Sequence, residues 1–509
     1  MLSCNRRTVG LLLALLLLVP AGTRAQTSQA QAPTLTREEA ITLARRHNPD
    51  FLQQANDAVN ADWAVRGAYG ALLPGASAAM SYGYQAAGTP RFGNFTGSDF
   101  GLSTTTDYYS SSYSLGLGYR LSGATLLAPG QAKQQRHATE AGIEAAAFTL
   151  RTNVTRQYLA VKRAQDGVVL ARQELTRAEE TLKLANARVQ VGAAIPLESK
   201  QAEVERGRAE VNLLQAENLV QTERLRLMQL LGVQLPQEVT LTTEFSIRDV
   251  PWTSEQLVAN ARDAHPQLRA ARAAAAAADA GVRMARSSYL PALSMNAGIS
   301  GFARQAGNAD FLVNQAKQNA AAQALQCEQL NQISAGLSTP LPNRPADCSA
   351  FTVTPDDEAR IRASNRVFPF DYSRDPFSVS LTLSLPLFDG LNREREVEQA
   401  RVARSDAELR VRSEELRLTT EVGTALRNVQ TARRAAELEQ RNAELATEQL
   451  ALARERYRVG VASFIELQDA ETLKARADRA YLAAVYQFHE NLAALEAAVG
   501  RSLTAAETR

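Results

Sequence analysis

The residues of this chain best suited to metal binding or nucleophilic work are four histidines and three cysteines, and their placement supports neither. His47, His137, His265 and His489 are scattered, none at helical spacing from another histidine. No glycine loop that would cradle a phosphate is present, nor a nucleophile elbow. No catalytic residue, cofactor or metal is therefore expected, and the chain does not read as an enzyme. His47 and His265 flank two helix breaks and read as capping or surface residues. Cys327 and Cys348 lie in a region containing Pro and Asn, and in an exported chain they are candidates for a disulfide. The competing readings are free thiols or half of a metal site, which no nearby histidine completes.

The export signal is at the start. Arg6 and Arg7 precede an apolar run from Val9 to Val19, then Pro20 and a small-residue site ending at Ala25, so residues 1–25 read as a signal peptide. Cys4 precedes the apolar run and would leave with it. Lys+Arg and Asp+Glu nearly cancel, 56 against 54, so nucleic acid is not an implied partner. No other stretch is apolar enough for a helical membrane span, and any membrane contact must come through strands.

The elements that would position any site occur twice. Asn48-Pro49 recurs as His265-Pro266 and Leu73-Pro74 as Leu290-Pro291, both at an offset of 217 residues (266 − 49 and 291 − 74). Later, Arg188-Val189-Gln190-Val191-Gly192 recurs as Arg456-Tyr457-Arg458-Val459-Gly460 and Leu231-Gly232 as Val499-Gly500, both at 268 (460 − 192 and 500 − 232). The chain thus reads as two repeats, 26–232 and 252–500, joined by a linker over 233–251 and followed by a tail over 501–509. The difference in offset places an insertion in the second repeat, in the segment 303–376, which holds both mature cysteines.

Each repeat reads as a helix broken at proline, a second helix, a strand, a loop, a strand, a very long helix, a glycine turn and a returning helix. The β-hairpins are expected over about 76–121 and 292–387, the latter with the inserted loop 303–376, and the linker is expected to hold a short strand. Phe377, Val379, Leu381, Leu383, Leu385 and Leu387 alternate with Ser378, Ser380, Thr382, Ser384 and Pro386. Tyr113, Leu115, Leu117, Tyr119 and Leu121 repeat the pattern. A half-buried strand of a soluble sandwich has the same period. Strands of about ten residues with one apolar face, in an exported chain, favour a transmembrane β-barrel. Four strands cannot close a barrel, and an open edge is not tolerated in lipid, so several chains must share one barrel. The loops joining each strand pair are polar and suit the outer surface.

From Pro129 to Arg188 and from Leu391 to Tyr457 the composition is that of strong helix formers, and at ~1.5 Å per residue these helices approach ~90 Å. The returning helices, about Leu197 to Leu231 and Phe464 to Val499, are their expected partners, with hairpin tips near 188–198 and 456–469.

At this point the chain resembles a family, the TolC-like outer-membrane efflux proteins. Leu35-Thr36-Arg37-Glu38-Glu39-Ala40 closing at Asn48-Pro49 is similar to that family's amino-terminal helix, and Leu73-Pro74 and Leu290-Pro291 to the entries of its membrane hairpins. Ser384 to Gly390 resembles its strand-to-helix junction, and Tyr457-Arg458-Val459-Gly460 leading to Glu466-Leu467-Gln468-Asp469-Ala470 its second hairpin tip. The resemblance implies an α+β membrane protein: a homotrimer with a 12-stranded transmembrane β-barrel, four strands per chain, continuous with a periplasmic α-helical barrel of coiled-coil hairpins. It implies a passive exit duct in the outer membrane of a Gram-negative-type bacterium, docked to a periplasmic adaptor (membrane fusion) protein and an inner-membrane pump.

It also implies site roles. Glu466 and Asp469 match the acidic ring at the family's narrow periplasmic entrance. They are three residues apart on one helix face, and a threefold ring would favour cations. Tyr457 and Glu198 match positions that latch neighbouring hairpins. Ala462 stands where relatives can carry an arginine of that latch, and Gln201 is the first-repeat counterpart of Asp469, which implies a closed state held by fewer bonds. Val191, Gly192, Val459, Gly460 and Ser463 are adaptor-contact candidates, the bland alternative being plain turns with glycine at the helix cap. For the whole chain the alternative is a trimeric, barrel-anchored structural or adhesive stalk.

Overall fold

A computed structural model describes residues 34–503 apart from 90, 97–105, 235, 237–239, 244–246, 340, 343, 344 and 346. The signal segment and residues 504–509 of the tail lie outside the described residues. The chain opens with β1 (Thr34–Leu35), α1 (Arg37–His47), α2 (Pro49–Gly70) and β2 (Gly75–Gln85). A small hairpin of β3 (Arg91–Phe92) and β4 (Phe95–Thr96) precedes β5 (Tyr108–Leu121), α3 (Gly123–Gln190) and α4 (Pro196–Leu231). After β6 (Thr240–Leu241) come α5 (Ser254–Ala264), α6 (Pro266–Arg286) and β7 (Ala292–Ala306). Then follow α7 (Ala309–Ala335), α8 (Pro355–Ser364), β8 (Ser373–Arg374), β9 (Ser378–Ser384), α9 (Asn392–Arg458) and α10 (Phe464–Val499).

The same local chemistry shapes both halves. Thr36 and Glu39 form a capping box at α1, and Thr253 and Gln256 form another at α5. Both helices stop before proline, whose ring disfavours helical geometry at the residue before it; Asn48 and His265 are accordingly extended. Each then caps the next helix: Asn48 Oδ1 accepts from the Phe51 amide at 2.8 Å, and His265 Nδ1 from the Gln267 amide at 3.2 Å. The first-half counterpart of buried His265 is thus Asn48, while His47 is exposed. Against these breaks stand Gly232 (φ +72°) and Gly500 (φ +82°), where a Cβ would lie 2.2 Å from the His47 carbonyl oxygen and 2.8 Å from the His265 Cα. Only glycine fits either place.

The chain forms two compact units, and each takes segments from both halves, so the units do not follow the repeat boundaries. The first comprises Met1–Leu52, Thr149–Trp252 and Thr424–Ala497. One of its cores joins Ala40, Ile41 and Ala44 of α1 to Val154 and Tyr158 of α3 and Leu227 and Leu231 of α4. The linker strand β6 pairs in parallel with β1, and the buried Tyr158 hydroxyl ties them down by donating to the Leu35 carbonyl at 2.8 Å.

The second unit, Gln53–Phe148, Thr253–Gly423 and Ala498–Arg509, holds the main sheet. Its order is β2-β5-β7-β9, antiparallel throughout, with β8 also on β7. The register aligns the alternation of all four long strands. Ala78, Leu115 and Ile299 fall in one row, Leu117, Ala297 and Val379 in another, and Tyr119, Met295 and Leu381 in a third. The opposite face carries serine, glycine, threonine and asparagine: Gly116 opposes Gly298, and Asn296 opposes Ser380. Among the described residues β2 pairs only with β5 and β9 only with β7, so both outer edges are open. The apolar face is exposed, Leu381 at 67% and Leu383 at 70%.

The segment 303–376, read from sequence as a loop, differs from that expectation. Strand β7 runs on to Ala306, and the remainder contains α7 and α8. Ala and Gln dominate α7, both good helix formers, and no proline falls within it; its polarity had suggested a loop where its propensity specifies a helix. Cys327 in α7 is joined to Cys348 by a disulfide. Asn365, at the end of α8, is buried and exchanges two 2.8 Å hydrogen bonds with the Ala306 backbone, which anchors the segment to the end of β7. α3 also begins earlier than expected, at Gly123, and carries Pro129 within it. Its start is held close to the second half: a Cβ on Gly123 would meet the Ser287 carbonyl oxygen at 2.7 Å.

Candidate functional site

The two helix-hairpin tips lie in the first unit and are built by one recipe. α3 ends at Gln190 and α4 starts with Pro196, whose missing N–H suits a first helical position; Gly192 turns the chain at φ +75°. α9 ends at Arg458 and α10 starts at Phe464, with Gly460 at φ +83°. The Ala193 amide donates to the Arg188 carbonyl at 2.8 Å, and the Val461 amide to the Arg456 carbonyl at 2.9 Å, so both tips satisfy the last carbonyls of the incoming helix in the same way.

Side chains then distinguish them. Tyr457 is 1% exposed, in a core with Leu450, Ala462, Phe464 and Leu467 of its own hairpin and Ala185 and Ala202 of the other. Its hydroxyl donates to Glu198 Oε2 at 2.7 Å. Burial, and then the Glu198 carboxylate, push the phenol above its ordinary range. Arg188 lies over the Tyr457 ring at 4.2 Å, donates through Nη1 to the Tyr457 carbonyl and through Nη2 to the Ala193 carbonyl at 3.1 Å. Ala462 is buried in the packing, and the arginine that touches the tyrosine comes from the first repeat. Arg188 was legible only as an anchor of the repeat, because nothing local marks which residue its guanidinium will cover.

Glu466 and Asp469 both lie on the exposed face of α10. Glu466 accepts from Arg456 Nη1 at 2.5 Å, and Ser463 Oγ accepts from the Glu466 amide at 3.2 Å, capping α10. The geometry therefore brings Tyr457 to Glu198 and Arg188, and gives Glu466 a cation of its own. Val191 and Val459 are exposed, as are Ile195, Leu197, Val461 and Ile465 around them. Val461 belongs to the second turn motif, whereas Ile195, Leu197 and Ile465 escape a reading by turn motif; their exposure is a property of the tertiary fold. Closer to the helix bodies, Thr181 and Arg454 bind the carboxylate of Glu471, whose pKa is raised by burial despite these partners.

A family model described as "Outer membrane efflux protein" matches residues 40–233 and 356–501. The chain belongs to this family. Its members are passive outer-membrane channels rather than enzymes, and this outer membrane efflux protein is placed in the outer membrane with them. It is 29% identical over 210 residues to the fusaric acid resistance protein FusA of Burkholderia cepacia, a stretch that is 41% of this chain and 40% of that relative. The fold is that of solved channels. The CmeC outer membrane channel of Campylobacter jejuni aligns with a TM-score of 0.66 at 15% identity, covering 91% of this chain and 85% of that one. The open state of the Neisseria gonorrhoeae MtrE channel aligns at 0.64 and 20% identity, covering 92% and 89%. The sheet described above is thus the β-barrel portion of such a channel, with the long helix hairpins as its helical portion.

Proposed function

We propose that this outer membrane efflux protein is the exit duct of a tripartite efflux or type I secretion system. It acts as a homotrimer and joins a periplasmic adaptor and an inner-membrane pump, which supplies the energy. The observation that carries this reading is the four-stranded sheet, with one face apolar along every strand and, among the described residues, both edges unpaired. Open edges in lipid leave backbone groups unsatisfied, so further copies must complete the barrel. The polar face then lines a lumen.

The tips are the proposed periplasmic gate. The Tyr457–Glu198 hydrogen bond, with Arg188 clamping the ring, joins the two hairpins of one chain and holds the entrance narrow. Glu466 and Asp469 provide the acidic ring; Arg456 offsets the first, so Asp469 contributes most of the field. The exposed apolar residues Val191, Val459, Val461 and Ile465, with Gly192, Gly460 and Ser463 at the turns, form the surface for the adaptor. A stalk has no use for a latch at the end of a hairpin.

Planar-bilayer recording tests this. The purified protein is expected to give small cation-preferring currents, and Glu466→Ala with Asp469→Ala to raise conductance and weaken that preference. Unchanged currents in the double variant would remove the gate assignment. Absence of any current, in the parent and in Tyr457→Phe alike, would remove the duct itself.

A further inference from the structure

Among the described residues the polar face of the sheet carries few charges, two arginines and one carboxylate. Along β5 and β7 the register places Ser110, Ser112 and Ser114 beside Arg304, Phe302 and Ser300, and Arg120 beside Ser294. Arg304 and Arg120 are exposed on this face, and among the described residues neither forms an ion pair within 4.0 Å. The Arg304 guanidinium is stacked on the ring of Tyr108, its Cζ 3.9 Å from the ring centroid, which fixes its position near the outer end of the strands without neutralising it. One carboxylate reaches the same face. Asp375 accepts from Ser300 Oγ at 2.6 Å, and its amide donates to the Ser300 carbonyl, so it is bound to the wall and balances one arginine of the two.

We propose that Arg304, held on Tyr108, and Arg120 bias the barrel lumen toward anions, opposite in sign to the acidic ring proposed for the periplasmic entrance. The inference rests on the reading of the chain as a duct, in which the polar face is the lumen. Each copy would contribute both arginines, so the bias is a ring property. A guanidinium holds a pair of anionic oxygens with two parallel hydrogen bonds, and among the described residues Asp375 is the one competing charge on the serine and glycine wall. The opposite face cannot serve this role, because its apolar rows are what lipid requires.

Reversal potentials of the full-length protein in planar bilayers, under potassium chloride and potassium acetate gradients at low ionic strength, test the proposal. Arg304→Ser is expected to lower the anion-to-cation permeability ratio by roughly two-fold relative to the parent, and Arg304→Ser with Arg120→Ser to lower it further. Arg304→Lys should keep the chloride ratio, since it keeps the charge. The difference should fade at 1 M salt, where the Debye length shrinks to about 3 Å. Ratios that do not move in either serine variant, or a shift that persists at 1 M salt, would overturn the assignment while leaving the duct intact. A parent protein that carries no current would refute the duct reading on which the inference stands. Circular dichroism and trimer mobility of each variant separate loss of charge from loss of fold.

Discussion

The two hairpin tips start from the same residues and arrive at different contacts. Arg188 and Glu198 in the first repeat occupy the places of Arg456 and Glu466 in the second, ten residues apart across each turn. In the second tip the pair closes on itself at 2.5 Å, exposed to solvent on both sides. In the first tip the acid instead accepts from the buried Tyr457 hydroxyl at 2.7 Å, and the guanidinium lies over the same ring. The difference comes from one position: where the second repeat has Tyr457, the first has Val189, which has no hydroxyl to offer in return. A surface ion pair contributes little, because water competes for both charges. A buried hydroxyl on a charged acceptor contributes more, because the Tyr457 phenol, 1% exposed, has no water to replace the carboxylate while the tip stays packed.

Three experiments break or sharpen this contrast. The largest effect is expected for Tyr457→Phe, which keeps the ring under Arg188 and removes only the donor to Glu198. It should destabilise the closed tips by about 1 to 3 kcal/mol, read as faster hydrogen exchange at Val191–Ala193 and Val459–Ala462 and as higher single-channel conductance. Exchange as slow as in the parent would show that ring packing alone holds the tips. The next is alkaline titration. Burial and Glu198 raise the Tyr457 pKa above its ordinary value of 10.0, so the folded tip retains a proton that the opened tip would lose. The contribution is fully present below pH 10.0 and is lost as pH rises through the folded value. Conductance of the parent should therefore begin to rise once the pH exceeds 10.0, and Tyr457→Phe should abolish that rise. The smallest effect is expected for Arg456→Ala, which removes the exposed pair with Glu466: tip exchange should change by less than about 1 kcal/mol. A larger loss would make the two tips energetically equal partners in closure.

Much of the fold was legible in the chain. Strong period-two alternation over Tyr113–Leu121 and Phe377–Leu387 has few physical readings once residues 1–25 are read as an export signal, and these two strands and their less regular partners are present in one sheet. α10 begins and ends at the residues its pattern marks, Phe464 and Val499, because Ser463 caps one end and Gly500 stops the other. The segment 303–376 was the main misreading: Gln and Asn in α7 look like loop residues, yet glutamine is a good helix former. At the site, Tyr457 and Glu198 were named through the resemblance, whereas Arg188 and Arg456 were read only as anchors of the repeat, and the exposed Ile195 and Ile465 were not named. Local pattern does not say which long side chain crosses to another hairpin.

Sequence by itself determined the repeat, the helix breaks at Asn48-Pro49 and His265-Pro266, the glycine turns at Gly192 and Gly460 and the amphipathic strands. All are set by backbone sterics and by the period of apolar side chains, which act over a few residues. Tertiary structure alone decided which acid the tyrosine hydroxyl meets, which arginine covers its ring and that the Arg304 guanidinium rests on Tyr108. Those contacts join residues far apart in the chain, and their energy depends on burial and on distances that exist only once the helices and strands have packed.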